Sequence, residues 1–178
     1  MSKVIIGVGI PGSGKTTALL KLAQEYSYTY ICPDNIRQEL TGNAADQSKN
    51  REVWEEAYQR TADALKKGES IVFDATFANE GQRKDFIKFT KDNGAEKVQG
   101  IYAEATLELA KERNRNRERI VPEHAIDRMY ESFQQYPPTI EDGFDSLFTI
   151  DQFQQLQHTE IRKEDRTLSK EFRSAKLQ

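Results

Sequence analysis

The segment GIPGSGKTT, residues 9–17, constrains the fold of this 178-residue chain more than any other. It fits the pattern G-x-x-x-x-G-K-[ST], with Gly9, Gly14, Lys15 and Thr16 at the defining positions. The apolar run KVIIGV precedes it, and a segment with helical periodicity follows it. Because the motif stands between a strand and a helix, as it requires, a phosphate-binding loop is favoured over a glycine-rich turn that binds nothing.

The chemistry of such a loop comes from its backbone and from two side chains. Glycines let N–H groups converge on phosphate oxygens, and the following helix adds its dipole. Lys15 is expected to reach the β- and γ-phosphates of ATP, and Thr16 to ligate Mg²⁺. The loop residues predicted to bind the nucleotide are Gly9, Pro11, Gly12, Ser13, Gly14, Lys15, Thr16 and Thr17.

Strand-like and helix-like segments alternate along the chain. Strands are predicted at 3–8, 28–32, 70–75, 97–104 and 146–150. Helices are predicted at 15–25, 35–40, 51–68, 79–94, 106–119 and 122–136. This alternation indicates an α/β fold, in which a central parallel sheet is flanked by helices and phosphate-handling groups lie at the carboxyl ends of the strands. We expect one domain over 1–150, followed by a charged tail, 151–178, that is helical or disordered.

Composition limits the possible partners and compartments. The net charge of -3 gives no overall basic field, so a nucleic acid would have to bind a local patch. The single cysteine, Cys32, excludes an internal disulfide. The sequence begins without a signal-peptide pattern and has no apolar run of membrane length. We therefore expect a cytoplasmic protein without a membrane partner, whereas its oligomeric state is not predictable.

The segment ICPDNIRQEL places an acid and a base at the end of the second predicted strand. A kinase needs a carboxylate to orient the acceptor hydroxyl and take its proton, and a cation near the phosphate. Asp34 and Arg37, three residues apart at a helix start, could supply both. Their spacing also fits Asp34 as a helix N-cap and Arg37 as a solvated side chain, so both interpretations stay open.

The segment SIVFDAT is an apolar run that ends in an acid, which is the weak form of a Walker-B strand. Asp74 is therefore predicted to face the metal, directly or through water, and to join Thr16 in the Mg²⁺ site. The alternative is that Asp74 caps the next turn, which Thr76 and Asn79 are suited to fix.

The segment ERNRNRERIVP carries arginines at alternate positions: Arg113, Arg115, Arg117 and Arg119. On a helix Arg113 and Arg117 would share one face, where they repel each other unless an anion lies between them. A helical lid over about 106–136 that closes on a triphosphate would use this arrangement, because guanidinium groups neutralise phosphate charge. The alternative is a solvated charged face, and spacing does not decide which arginines contact phosphate.

Four motifs follow one another along the chain: GIPGSGKTT, PDNIR, VFDAT with a later Arg83, and RNRNRERIVP followed by a helix. Over about residues 3–150 this combination resembles the kinase domain of phage and bacterial 5′-polynucleotide kinases, and the wider set of small P-loop kinases that share their lid. The resemblance implies a P-loop NTPase fold with an arginine-bearing helical lid. It also implies ATP and Mg²⁺ as cofactors and a 5′-hydroxyl end of DNA or RNA as substrate. Because the sequence leaves no room for a phosphatase or ligase module, we expect a stand-alone kinase domain.

The resemblance assigns roles to matching positions. It implies Asp34 as the general base for the 5′-hydroxyl and Arg37 as the arginine that grips the phosphate beside the acceptor end. It implies Arg113 and Arg117 as the paired lid arginines, which with Lys15 complete the catalytic set.

The strand-three segment departs from the family pattern. Relatives often have asparagine where this chain has Phe77, and some have an acid at the position of Ala75. Two other hypotheses also stay open. The acceptor could be a nucleoside, sugar nucleotide or other metabolite hydroxyl, or the chain could be an ATP-dependent switch without an acceptor. The presence of Asp34 with Arg37 argues against the switch.

Overall fold

Five parallel strands form one sheet in the order β2-β3-β1-β4-β5. The computed structural model describes residues 2–157. The strands are β1 (Lys3–Val8), β2 (Thr29–Ile31), β3 (Ile71–Asp74), β4 (Lys97–Tyr102) and β5 (Ser146–Thr149). The helices are α1 (Lys15–Tyr26), α2 (Pro33–Thr41), α3 (Asn50–Lys66), α4 (Glu80–Asp92), α5 (Leu107–Arg115) and α6 (Glu123–Gln135), with a 3-10 turn at Ile140–Asp142. The predicted α/β fold with a parallel sheet flanked by helices is confirmed.

Strand β1 lies at the centre of the sheet because its residues are apolar on both faces, as a strand covered on both sides requires. Val4 and Ile6 pack in the larger core, which lies against α2 to α6, whereas Ile5 faces the smaller core against α1. In the register between β1 and β3, Gly7 pairs with Asp74. The phosphate loop that follows Val8 therefore starts beside the carboxyl end of β3.

The predicted helix over 106–119 is too long, because α5 ends at Arg115. Backbone N–H groups of Asn116 and Arg117 donate to Arg113 and Asn114 in turns, and the chain then runs as a loop to Pro122 before α6. Alternating arginines disfavour a helix here, because residues four apart would bring like charges together. Arg117 and Arg119 therefore lie on a loop and not on the face of a helix.

The end of the described chain is helical over 150–157, so the last strand stops at Thr149, one residue before the predicted limit. Ile150 and Phe153 pack against the smaller core. The domain limit at 150 stays a prediction, and most of the predicted tail, 158–178, lies outside the described residues. Among residues 2–157, no helix has both the length and the apolar content needed to cross a membrane.

Candidate active site

A cavity of about 950 Å³ lies at the carboxyl ends of the strands. The phosphate loop, the start of α2, the end of β3 and the loop between α5 and α6 contribute to its wall. Its charged lining residues are Lys15, Asp34, Arg37, Asp74, Arg113, Arg117, Arg119 and Arg128. The edge of the sheet where strand order reverses is where α/β proteins place their ligands, so this cavity is the candidate active site.

The phosphate loop has the backbone that its glycines allow. Gly12 and Gly14 have φ angles of +82° and +85°, in the left-handed region that favours glycine. A Cβ at Gly12 would lie 2.2 Å from the carbonyl oxygen of Ala110, so α5 packs directly on the loop. The buried hydroxyl of Ser13 has no hydrogen-bond partner within residues 2–157. The loop thus presents an unsatisfied donor together with the N-terminus of α1, as an anion site does.

Asp74 is buried at the end of β3, and both of its carboxylate oxygens accept hydrogen bonds. Its Oδ1 lies 2.6 Å from Lys15 Nζ, and its Oδ2 accepts from Thr16 Oγ1 at 2.9 Å and from Tyr30 OH at 2.5 Å. Burial alone would raise the pKa of Asp74, but the Lys15 ammonium and these donors hold that pKa below its ordinary value. Asp74 is therefore a carboxylate at neutral pH.

Two ionisable neighbours of Asp74, Tyr30 and Cys32, have raised pKa values. Burial raises the pKa of the Tyr30 phenol, and the Asp74 charge adds to this. Burial and Asp74 also raise the pKa of the Cys32 thiol. Both groups therefore stay neutral around the carboxylate, and Tyr30 remains a proton donor to it.

Asp34 is held between two guanidinium groups. Its Oδ1 lies 2.6 Å from Arg37 NH1 and its Oδ2 lies 2.7 Å from Arg119 NH1. Cys32 occupies the N-cap of α2 and Pro33 its first turn, so Asp34 is inside the helix and is not its cap. Arg37 is buried, donates to Asn50 Oδ1 at 2.8 Å, and is therefore not the solvated side chain that spacing also allowed.

The four arginines of the lid segment separate into two groups. Arg113 lies beside the phosphate loop, since a Cβ on Gly14 would be 3.4 Å from its NH1, and it lines the cavity with Arg117 and Arg119. Arg115 instead pairs with Glu123 at 2.8 Å on the outer surface. The structure thus brings both predicted lid arginines to the cavity and adds Arg119.

Asn114 holds the lid loop in place. It is fully buried between Arg113 and Arg115, and its amide donates to Val121 O at 2.8 Å and accepts from Val121 N at 3.0 Å. This pair of hydrogen bonds closes the loop 115–120 on itself. The positions of Arg117 and Arg119 over the cavity follow from this closure.

Arg83 does not line the cavity but supports the segment after β3. It is fully buried, with Nε 2.6 Å from Asp142 Oδ2, and it donates to the carbonyl groups of Phe77, Tyr136 and Pro137. Phe77 has a φ of +51°, a strained conformation for an aromatic residue, and its ring packs against Phe73, Trp54 and Phe86. Asn79 caps α4, and the Thr76 carbonyl accepts from Gly9 N–H.

Sequence reasoning did not identify three residues of the site. Tyr30 was not identified because a tyrosine in a short apolar strand is ordinarily a core residue. Asn50 was not identified because it lies in a polar segment that matches no functional motif. Arg119 was present in the arginine segment, but its contact with Asp34 depends on the loop after α5, which helical spacing misplaced.

Comparison with known proteins agrees with this fold. A family model described as an AAA domain matches residues 4–136. A chain of the Pnkp1/Rnl/Hen1 RNA repair complex superposes with a TM-score of 0.63 at 19% identity, over 75% of this chain and 44% of that one. The chain thus spans less than half the length of that protein.

Two further solved structures are similar over most of their length. A candidate kinase from Chloroflexus aurantiacus j-10-fl has a TM-score of 0.65 at 20% identity, with 83% of this chain and 86% of that chain covered. Shikimate kinase from Bacteroides thetaiotaomicron has a TM-score of 0.57 at 16% identity, with 84% and 87% covered. Identities this low establish a shared fold, and that fold is the P-loop kinase fold. Since the family model covers well over half of the sequence, the chain belongs to the AAA domain family of P-loop proteins.

Proposed function

We propose that the chain is an ATP-dependent kinase that transfers the γ-phosphate to the 5′-hydroxyl of DNA or RNA. The observation that carries the proposal is the placement of Asp34, with Arg37 and Arg119 on its two oxygens, in the same cavity as a complete phosphate loop. A nucleotide-binding loop alone does not need such a carboxylate, whereas a hydroxyl acceptor does.

The donor half of the site would hold ATP through the phosphate loop. Gly12 to Thr17 line the cavity, Arg113 lies beside the loop at Gly14, and Arg117 lines the same cavity. Lys15, whose ammonium now pairs with Asp74, would exchange this partner for phosphate oxygens. The charge of the transferring phosphoryl group would then be neutralised by fixed cations, which is the main source of rate in such reactions.

The residues beside the loop fit Mg²⁺. A carboxylate and a hydroxyl are the oxygen ligands that this ion prefers, and Asp74 is held ionised next to Thr16. Thr16 would ligate the ion, with Asp74 contacting it directly or through water, and Tyr30 would orient the Asp74 carboxylate. When bound, Mg²⁺ neutralises phosphate charge during phosphoryl transfer.

The acceptor half of the proposed active site is centred on Asp34. Its carboxylate would accept the proton of the 5′-hydroxyl while the hydroxyl oxygen forms a bond to the γ-phosphorus and the bond between that phosphorus and the bridging oxygen breaks. The electron pair of the broken bond leaves with ADP. Arg119 would have to release one oxygen of Asp34, and Arg37 would bind the phosphodiester beside the acceptor end.

The charge of the cavity supports a polyanionic acceptor. Its cations are Lys15, Arg37, Arg113, Arg117, Arg119 and Arg128, and its acids are Asp34 and Asp74. A triphosphate accounts for the cations around the loop. Arg37 and Arg119 lie instead at the acceptor carboxylate, where a second phosphate group would balance them.

A metabolite acceptor is the second candidate. Shikimate kinase shares the fold over 84% of this chain, and its name states a small-molecule substrate. The same Asp34 could serve a nucleoside or sugar hydroxyl. This alternative predicts activity on a free small molecule and no preference for chain length.

The test is an acceptor survey with ATP labelled at the γ-phosphate. The acceptors are 5′-hydroxyl DNA and RNA oligonucleotides, the same oligonucleotides with 5′-phosphate ends, nucleosides, shikimate and water. Label on the 5′-hydroxyl oligonucleotides alone supports the proposal. Label on a small molecule alone overturns the polynucleotide acceptor, and a conformational change with ATP but no transfer points to a switch.

A further inference from the structure

A groove of about 630 Å³ on the outside of α3 adjoins the active-site cavity. Its lining residues are Asn50, Arg51, Trp54, Glu55, Tyr58, Gln59, Ala62 and Phe89. We call it the Trp54 groove. Asn50 and Trp54 line both the groove and the cavity, so the two spaces are adjacent. Its volume lies within the range of small-molecule and cofactor sites.

The groove joins the cavity at the acceptor side. Asn50 Oδ1 accepts from Arg37 NH2 at 2.8 Å, and Arg37 NH1 donates to Asp34 Oδ1 at 2.6 Å. Two hydrogen bonds therefore separate the proposed general base from the rim of the groove. If the reacting end of an acceptor lies at Asp34, the part of the acceptor that follows this end lies beside the Trp54 groove.

The walls of the groove include three aromatic rings that pack against other rings. The Tyr58 and Phe89 rings are 4.5 Å apart between centroids, and Trp54 packs on Phe77 at 5.8 Å. These three lining rings are only half-buried, so part of each faces the groove. Aromatic rings stack with nucleobases of any sequence, and rigid ones do so with little loss of entropy.

The polar groups at the rim suit the same ligand. The Asn50 side-chain NH₂ and the Gln59 side-chain carbonyl can pair with base edges, since only Asn50 Oδ1 and Gln59 Nε2 make hydrogen bonds within residues 2–157. The exposed Arg51 pairs with Glu55, which also lines the groove, and would exchange this partner for a phosphate. The groove thus combines stacking surfaces, amides and one exchangeable ion pair beside the acceptor carboxylate. A metabolite that ends at its phosphorylated hydroxyl would leave this surface unused.

We propose that the Trp54 groove binds the nucleobases that follow the terminal nucleoside of a single-stranded polynucleotide acceptor. The inference rests on the proposed function, because it extends the same acceptor site beyond the reacting end. It names the substrate class as a single strand, since paired bases cannot stack on protein rings. It also makes acceptor affinity depend on the bases beyond the first.

The chain offers a specific reporter, because Trp54 is its only tryptophan. The experiment titrates the full chain, without ATP, with 5′-hydroxyl forms of a nucleoside, a dinucleotide and a tetranucleotide, and with a tetranucleotide that is abasic beyond its first position. Trp54 emission is recorded throughout. We expect saturable quenching by the normal tetranucleotide and about tenfold weaker binding of the abasic one, as the loss of a stacked base predicts.

Two variants test the surface itself. Tyr58→Leu keeps an apolar side chain in the groove but removes the stacking ring, and it should weaken tetranucleotide binding about tenfold without affecting the nucleoside. Tyr136→Leu is the matched control, because Tyr136 is exposed and lines neither the groove nor the cavity. The abasic ligand tests the same stacking on the unaltered chain if Tyr58→Leu does not fold.

The outcomes separate this inference from the proposed function. Phosphorylation of oligonucleotides with equal affinity for normal and abasic tetranucleotides overturns the groove while leaving the kinase in place. Base-dependent quenching without phosphoryl transfer supports the groove and overturns the kinase proposal. Trp54 emission that follows protein concentration, with a doubled mass in solution, assigns the groove to a second copy and overturns the inference.

Discussion

Asp74 shows how one carboxylate can organise a site from the end of a buried strand. Its neighbours Lys15, Thr16 and Tyr30 come from α1 and β2, and they converge because β3 lies beside β1 in the sheet. Burial opposes the charge on Asp74, and the converging donors outweigh that opposition. The same contacts that would prepare a metal ligand also contribute to stability.

The lowered pKa of Asp74 predicts a pH-dependent contribution to folding. A carboxylate whose folded pKa lies below its unfolded value stabilises the fold above the unfolded value, about 3.9, and loses that contribution as pH falls through the folded value. Asp74→Asn should therefore cost most at neutral pH and progressively less in acid. Urea unfolding at a series of pH values measures this, with the exposed Asp92→Asn as control. A cost that is constant across pH would contradict the assignment.

Residue types and their order single out the phosphate loop, Asp74 and two arginines, which the structure brings together in one cavity. The phosphate loop, Asp74 and the lid arginines each carry a local pattern that depends on sequence neighbours alone. The roles of Asp34 and Arg37 were less accessible, because their spacing fits a helix N-cap and a solvated arginine equally well. Only the fold shows that Pro33 begins α2 and that Arg119 reaches Asp34 from 85 residues away in sequence (119 less 34).

The lid loop depends on one buried side chain. Asn114 makes paired hydrogen bonds with the backbone of Val121, and these close the segment that carries Arg117 and Arg119. Asn114→Ala would leave the Val121 groups without these partners. We expect amide hydrogen exchange over 115–121 to rise about tenfold, since a lost buried hydrogen bond costs about 1–3 kcal/mol. Exchange in β1 should not change, and unchanged exchange over 115–121 would refute the role of Asn114.

The buried pair of Arg83 and Asp142 connects three segments: the turn after β3, the end of α6 and the 3-10 turn. Removing one partner leaves a buried charge uncompensated, so Arg83→Met should lower the free energy of unfolding by about 3–5 kcal/mol. Asp142→Asn should lower the free energy of unfolding by less in the Arg83→Met background than in the parent chain. Chemical denaturation of the double-mutant cycle measures the difference. Strictly additive costs would show that the pair is not coupled.

Helix limits were predicted well where packing continues and poorly where the lid begins. Helices α1, α3, α4 and α6 follow from apolar periodicity, because each buries one face in a core. The strands follow from short apolar runs, as strands covered on both faces require. The helix over 106–119 failed beyond Arg115 because that segment has no apolar face and is shaped by the Asn114 side chain. The strain at Phe77 was equally inaccessible, since tertiary packing of its ring stabilises it.

At the scale of the whole molecule, charge is distributed unevenly. The chain carries a net charge of -3, yet its candidate active site is lined mainly by cations. Long-range attraction of a nucleic acid would therefore be weak, and the proposed acceptor would bind through a few local phosphate contacts. This arrangement fits recognition of a strand end more closely than binding along a duplex.

The uneven charge predicts a modest salt dependence. If the phosphate beside the acceptor end of a single strand is neutralised at Arg37 and Arg119, the logarithm of affinity should fall with the logarithm of salt with a slope of about -0.7. Arg119→Gln should make that slope shallower. Oligonucleotide binding measured over a range of salt concentrations gives both values. An affinity that is insensitive to salt would favour an uncharged metabolite acceptor.

The central claim is that Asp34 activates a 5′-hydroxyl beside bound ATP. Its most direct measurement compares phosphoryl transfer to a 5′-hydroxyl oligonucleotide by the parent chain, by Asp34→Asn and by Glu39→Gln, which alters an exposed carboxylate on the same helix. We predict that Asp34→Asn lowers the transfer rate by about 10²- to 10⁴-fold with ATP binding intact, and that Glu39→Gln retains the parent rate. Undiminished transfer by Asp34→Asn would contradict the account.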